Sequence, residues 1–272
     1  MGRGIAQVAA LSGFNAILCD LSDELLTEAV RLISLELQRG VEKGKISPEA
    51  ASAASSRVRT SVSFERLSAC GAVIEAALED APVKKKIFSD LEKVCSPDAL
   101  LATNTSSLSV TSLASGLSSP GRFIGIHFFN PPHLMKLVEV VPGRWTSEAA
   151  LGAALALAEK LGKHPVVAKD TPGFIVNRLA RPFYGEALRA MGEGVASFEE
   201  IDRIVRLEGG FRMGPFELMD LIGIDVNLAV TKSMYEQTFG EPRYRPHVIQ
   251  QRMVDAGRLG RKTKGGFYDY GA

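Results

Sequence analysis

The sequence predicts an α/β domain followed by an all-α domain. The first two-thirds alternate helical patterns with short β-rich runs, whereas the part after about Asp170 holds long helical patterns and almost no strand-like segment. Asp170-Thr171-Pro172-Gly173 is a turn signal between the two regimes, giving domains at residues 1–169 and 170–272.

Taken in order, Gly2 to Ala10 reads as a helix entered at once, and Asn15 to Asp20 as a strand ending in an acid. Asp23 to Lys43 and Pro82 to Val94 have helix-forming composition, with Ser22 and Asp80 placed to cap them. Candidate strands are Ala16 to Cys19, Ala72 to Glu75, Leu100 to Thr103, Phe123 to His127, Leu137 to Val141 and Pro165 to Ala168. Their apolar character predicts a sheet buried on both faces, and the alternation predicts right-handed crossovers and mostly parallel pairing. There is no internal repeat; Ala51 to Ser56 is small and polar but brief.

The 272 residues are 46% hydrophobic and 23% charged, the balance of a globular protein. With 32 Lys+Arg against 31 Asp+Glu, the net charge of +1 supplies no long-range field toward nucleic acid or an anionic membrane, so a small-molecule partner fits better. No apolar run approaches the roughly 20 residues that span a bilayer. The first residues lack a basic-then-apolar signal pattern, and the expected location is the cytoplasm. Cys19, Cys70 and Cys95 have no ligand-like spacing, so neither a disulfide framework nor a metal site is expected, and small buried apolar roles are.

The amino-terminal helix and the strand after it read as the back half of a Rossmann-type dinucleotide-binding unit. In the complete unit a strand feeds a glycine turn whose amides, with the helix start, face the pyrophosphate. Gly2 stands where the third glycine belongs, and Asp20, eighteen residues on, is where an acid bonds the adenosine ribose. A carboxylate there repels a 2′-phosphate, which favours NAD over NADP. The first strand and its glycines are missing as written; they are expected before Met1, making Met1 an internal methionine of a longer natural chain. A glycine-rich helix start and a strand-terminal Asp are also common features without function.

Three segments carry chemistry. Thr103-Asn104-Thr105-Ser106-Ser107-Leu108 follows a strand, which puts Ser106 at the carboxyl edge of the sheet, where open α/β folds bind ligands; a turn or helix cap is the alternative. Phe123 to Pro132 ends a strand in His127, and twelve residues on, Glu139 lies inside the apolar run Leu137 to Val141. A carboxylate among valines is costly to bury unless paired, and His127 is its natural partner, a pair suited to proton abstraction; an outward-facing Glu139 on an edge strand is the alternative. In the third segment, Lys169 to Arg178, Asn177 lies early in a helix, where it serves a site or merely faces solvent.

Together TNTSSL, HFFNPP, KLVEVV, DTPGFIVNR, GPFELMDLIG and GRKTKGGFYDY resemble the 3-hydroxyacyl-CoA dehydrogenase (3-hydroxybutyryl-CoA dehydrogenase) family over nearly the whole chain. The resemblance implies hydride transfer between NAD and the C3 hydroxyl or keto group of a 3-hydroxyacyl-CoA, in fatty acid β-oxidation or related acyl-CoA metabolism. It implies that His127 is the base, that Glu139 stabilises its imidazolium, and that Ser106 and Asn177 orient substrate, Ser106 with the cofactor as well. Asn130 matches a position near the nicotinamide, Asp20 the ribose acid, and Glu79 and Lys84 cofactor-contacting positions; these last two could instead be surface charges at a helix start. The family's helical domain makes homodimers, and Gly214 to Leu221 resembles part of that packing or closes an internal core. Two other readings stay open: an NAD-dependent dehydrogenase of a free hydroxy acid or sugar acid, and a non-catalytic CoA-binding dimeric protein.

Overall fold

The computed structural model describes residues 1–271. The chain divides into two units, Met1–Thr171 and Pro172–Ala272. That break falls two residues beyond the boundary suggested by the turn signal at Asp170. The reason is that Asp170 belongs to the first unit: its carboxylate accepts from the Ser109 hydroxyl at 3.0 Å and from the Val110 and Thr111 amides at 2.9 and 2.7 Å.

The first unit runs α1 (Gly2–Leu11), β1 (Ala16–Cys19), α2 (Asp23–Glu42), α3 (Pro48–Arg57), β2 (Val58–Ser61), β3 (Ala72–Glu75), α4 (Ala81–Val94), β4 (Leu100–Thr103), α5 (Val110–Ala114), β5 (Phe123–Phe128), β6 (Leu137–Val141), α6 (Glu148–Lys160) and β7 (His164–Val167). Ser22 and Asp80 cap α2 and α4 as expected, accepting from Leu25 N and Val83 N. Each such cap is worth about 1 kcal/mol. The Ala51 to Ser56 stretch is not an irregular link: it is the body of α3, entered through the Ser47 cap and Pro48. Helix propensity of alanine carries it, and Ala54 is its one buried residue.

The strands do not form one sheet. β1 and β2 pair in parallel by themselves, and β3-β4-β5-β6-β7 form a separate five-stranded sheet. No described strand joins β1 to β3, and α1 bridges the two pieces. Its Ile5 and Val8 pack with Leu100, Ala102 and Ile124 of the larger sheet, while Ala10 packs with Ile33, Leu37 and Ala54 on the other side.

Mostly parallel pairing holds, with four of the five strand pairs parallel and one exception, whereas burial on both faces needs correction. β6 runs antiparallel to β5, because only the short Phe129–Lys136 segment joins them, too short for a crossover helix. Burial on both faces holds for β4, β5 and, from Val138 on, β6. β7 is a half-covered edge whose Val166 and Val167 are 42% and 49% exposed, and every residue of β1 is only partly covered. Apolar composition does not separate an edge strand from a central one.

The second unit is helical: α7 (Val176–Gly192), α8 (Phe198–Leu207), α9 (Pro215–Ile222), α10 (Ile224–Gln237) and α11 (Val248–Asp255). Its core holds Tyr184, Leu188, Phe216, Met219 and Phe267, with the Phe216 and Phe267 rings edge to face at 4.7 Å. Phe216 and Met219 of GPFELMDL therefore close an internal core, while Leu221 and Ile222 on the same helix are exposed.

Two carboxylates organise this unit. Asp202 accepts from the Phe216 and Glu217 amides and the Tyr268 hydroxyl, each at 2.9 Å. Asp220 accepts from the Phe267 and Tyr268 amides and the Tyr270 hydroxyl. The glycines of the two motifs make room for these acids. A Cβ on Gly214 would lie 2.2 Å from Asp202 Oδ1, and one on Gly266 would lie 2.0 Å from Asp220 Oδ1. GPFELMD and GGFYDY are thus two halves of one interlocked structure.

Candidate active site

β3, β4 and β5 are parallel, so their carboxyl ends lie along one edge of the larger sheet, the edge at which open α/β sheets bind ligands. The segments after β4 and β5 that the sequence marks as chemical leave the strands there, whereas Lys169 to Arg178 follows β7, which runs opposite to β5.

His127 sits one residue before the end of β5. In the antiparallel register with β6 it faces Glu139 directly. Directly opposed residues project to the same face with Cβ atoms about 5 Å apart, and here the side chains meet, His127 Nδ1 to Glu139 Oε2, at 2.7 Å. His127 is 6% exposed and Glu139 1%. Glu139 does not face outward. Its partner fixes the ring, and the tautomer that the pair favours carries the proton on Nδ1 and leaves Nε2 as the basic nitrogen. Phe129 packs on the ring, with centroids 4.5 Å apart.

The loop after β4 wraps around Glu79. One carboxylate oxygen, Oε1, receives the Thr105 hydroxyl at 2.5 Å, the Ser106 amide at 3.0 Å, and the Ser107 amide and hydroxyl at 3.3 and 3.2 Å. Burial alone would raise this carboxyl, yet the Thr105 hydroxyl, the Lys84 charge and the Ser106 amide together hold it below the usual range. The other oxygen lies 3.3 Å from Lys84 Nζ.

Lys84 is no surface charge. It is 1% exposed, and its ammonium bonds Glu75 Oε1 at 2.7 Å as well as Glu79. Glu75 in turn accepts from the Thr103 hydroxyl at 2.8 Å and from the Ala77 amide. The geometry that the sequence left open for Lys84 is therefore an inward one, holding Glu79 in place from behind.

Asp20 is exposed just past the end of β1; its carboxylate takes the Leu21 amide at 2.7 Å and has acceptor capacity left for a ribose diol. Gly2 opens α1, with a notional Cβ 3.8 Å from both Ala76 and Leu18. Asn130 is exposed and lines a cavity of about 290 Å³ with Gly4, Gln7 and His133. Asp20 offers acceptors to a ribose diol and the start of α1 offers amide donors to an anionic pyrophosphate. Asn177 is the second residue of α7, in the second unit, where its Oδ1 accepts from Arg181 Nη2 at 3.5 Å.

Residues 1–171 match the family described as "3-hydroxyacyl-CoA dehydrogenase, NAD binding domain", and residues 173–270 match "3-hydroxyacyl-CoA dehydrogenase, C-terminal domain". The chain belongs to the 3-hydroxyacyl-CoA dehydrogenase family. Its members are NAD-dependent oxidoreductases of 3-hydroxyacyl-CoA thioesters. The chain is 47% identical to a 3-hydroxyadipyl-CoA dehydrogenase of Escherichia coli K12, over 100% of this chain but 57% of that protein, so it spans little more than half of that relative. It is 43% identical to a 3-hydroxybutyryl-CoA dehydrogenase of Bradyrhizobium diazoefficiens, over 99% of this chain and 92% of that one. The crystal structure of (S)-3-hydroxybutyryl-CoA dehydrogenase from Ralstonia eutropha superposes with a TM-score of 0.95 at 42% identity, covering 100% of this chain and 96% of that one.

In this 3-hydroxyacyl-CoA dehydrogenase family member, sequence reasoning passed over two polar residues of the sheet edge. Glu75 ends the apolar strand Ala72–Glu75, the same signal that marked Glu139, and is 5% exposed. Asn104 gave no such signal: its Oδ1 accepts the Phe128 amide at 2.8 Å, tying the β4 loop to the end of β5. Among the described residues no helix is long and apolar enough to cross a membrane.

Proposed function

We propose that this chain oxidises the 3-hydroxyl of a 3-hydroxyacyl-CoA, and reduces the 3-keto form in reverse, with His127 as the base. The observation that carries the reading is the buried 2.7 Å pair of His127 with Glu139 at the ligand-binding edge of the sheet. Glu139 orients the ring and stabilises the imidazolium formed when Nε2 takes the hydroxyl proton, a contribution of about 10²–10⁴-fold to the rate. Bound NAD supplies the acceptor for the hydride leaving C3. Ser106 and Asn177 hold the acyl end by hydrogen bonds, an orienting rather than a proton-moving role. Asp20 accepts from the ribose hydroxyls, Gly2 begins the helix that faces the pyrophosphate, and Asn130 lies by the nicotinamide. Glu79, held by Lys84 and the Thr105–Ser107 loop, contacts the cofactor's nicotinamide half.

The relatives' names point to thioesters of either a four-carbon acid or a six-carbon diacid. The proposal includes a cytoplasmic location and a homodimer through the helical unit, where Leu221, Ile222 and Val226 are 50%, 41% and 47% exposed. NADH oxidation with acetoacetyl-CoA tests the activity. Turnover that His127→Ala abolishes supports it. A folded chain that binds NADH, ignores acetoacetyl-CoA and oxidises free hydroxy acids would overturn it.

A further inference from the structure

Arg181 is a buried cation with no anion. It is 4% exposed on α7, and among the described residues no carboxylate lies within 4.0 Å of its guanidinium. Nη1 donates to the Asn227 carbonyl at 2.9 Å and to the Thr231 hydroxyl at 3.2 Å, and Nη2 to Asn177 Oδ1 at 3.5 Å. The Tyr184 ring lies beneath it, 4.9 Å from Cζ. Nε has no partner, although it is shut off from solvent. Beside it, Asn227 Oδ1 accepts from Gln250 Nε2 at 2.7 Å while the Asn227 Nδ2 is unpartnered. Both unmet atoms are donors. Burial pushes the guanidinium down to about 10, the response of a cation held without a counter-charge.

Native folds seldom leave such groups unmet, because a buried charge without its counterpart is costly and a buried donor without an acceptor adds to that cost. The groups around the site do not supply the missing charge. Arg181 lines a small pocket with Thr231, Arg243, Arg245, His247 and Gln250, and no acidic residue contributes to its wall. Its volume of about 10 Å³ matches one small acceptor atom, a water or a single carboxylate oxygen. A carboxylate oxygen also meets the charge, and the Nε side of a guanidinium is shaped to receive it.

The position on the helix says which carboxylate. Asn177 and Arg181 are four residues apart on one face of α7, about 6 Å along the axis. On the proposed function, on which this inference rests, Asn177 holds the substrate near C3. In a six-carbon acyl chain C3 and C6 are three bonds apart, about 4 Å when extended, so a carboxylate at C6 comes within hydrogen-bond reach of Arg181. The geometry points to Arg181 as a specificity-determining residue that receives the distal carboxylate of a 3-hydroxydicarboxylyl-CoA. An uncharged acyl chain of that length leaves the guanidinium unmatched, and the pocket discriminates against it.

The test compares NAD-dependent oxidation of the CoA thioesters of 3-hydroxyhexanedioic acid and 3-hydroxyhexanoic acid by the full chain, Arg181→Met and Arg181→Lys. The full chain is expected to favour the diacid thioester at least tenfold in kcat/KM. Arg181→Met removes that preference, mainly through the KM of the diacid thioester, and Arg181→Lys retains part of it. A diacid-to-monoacid ratio unchanged in Arg181→Met overturns the inference and assigns Arg181 a structural role. If Arg181→Met does not fold, the ratio in the full chain decides: a value of one or below overturns the inference. Turnover of neither thioester by a chain that binds NADH is a different result, which overturns the proposed function and this inference with it.

Discussion

The site of the first unit and the interior of the second treat buried charge in opposite ways. In the first unit each buried ionisable side chain of the site meets an opposite or basic partner: Glu139 meets His127, and Lys84 meets Glu75 and Glu79. In the second unit Asp202, Asp220 and Arg181 are as deeply buried, yet among the described residues none is in an ion pair. The two aspartates are solvated by backbone amides and tyrosine hydroxyls, and Arg181 by a carbonyl, a hydroxyl and an amide oxygen. Dipole-solvated acids hold segments together, because each reaches three donors at once. Paired ionisable groups can pass a proton or hold a second group in position. The difference teaches that burial by itself does not mark chemistry; the kind of partner does.

The sharpest way to break this contrast is at Glu139. If the pair works as proposed, His127→Ala and Glu139→Gln each lower kcat/KM by about 10²–10⁴, read in steady-state assays with acetoacetyl-CoA. An unchanged rate in Glu139→Gln would make the pair structural, like the aspartates. The next largest effect is on stability. Asp220→Ala strands two amides and a hydroxyl, and Phe216→Ala empties a fully buried ring site; each is expected to cost about 3–5 kcal/mol in denaturant unfolding. NADH binding would survive in whatever fraction remains folded.

Acid titration separates the two kinds of carboxylate by sign. Burial raises Asp202 above its usual 3.8, against the pull of the Phe216 and Glu217 amides and the Tyr268 hydroxyl. Its ionised form is therefore disfavoured by folding, and that penalty is relieved as pH falls through the raised value. Glu79 lies below its usual 4.5, so its stabilisation is full above 4.5 and is lost as pH falls through the lowered value. Thermal melts between neutral and acid pH should show Glu79→Gln losing less stability on acidification than the parent chain, and Asp202→Asn losing more. The reverse order would merge the two classes. The smallest effect is expected at the half-exposed Lys262–Asp225 pair, 2.6 Å apart. Lys262→Ala should shift unfolding by no more than about 0.2–1 kcal/mol, and less at high salt.

Much of the first unit was legible because its signals are local. Ser22 and Asp80 stand at helix starts, and four of the six candidate strands match the observed ends; Phe123 to His127 stops one residue short, and Pro165 to Ala168 is shifted by one. β2 was missed because Val58–Ser61 has only one large apolar residue, and α3 because its alanines and serines show little amphipathic contrast. Glu139 was legible as an acid among valines. Lys84 was not legible as buried, since a lysine in the first turn of a helix looks the same in sequence whether its ammonium meets solvent or Glu75 beneath it.

The order of the six candidate strands, the division into an α/β and a helical part, and the pairing of His127 with Glu139 followed from the sequence alone. Each rests on periodicity, turn chemistry or the cost of burying an unpaired carboxylate, and these act within a short stretch of chain or between two residues with one obvious match. Only the tertiary structure decided that α1 bridges the two pieces of the sheet, that β6 runs antiparallel, and that the glycines of GPFELMD and GGFYDY make room for Asp202 and Asp220. It alone showed that Arg181 has no counter-ion among the described residues. Those features depend on which distant segments meet, and a guanidinium lacking its anion is recognisable only once every neighbour that could have supplied one is in place.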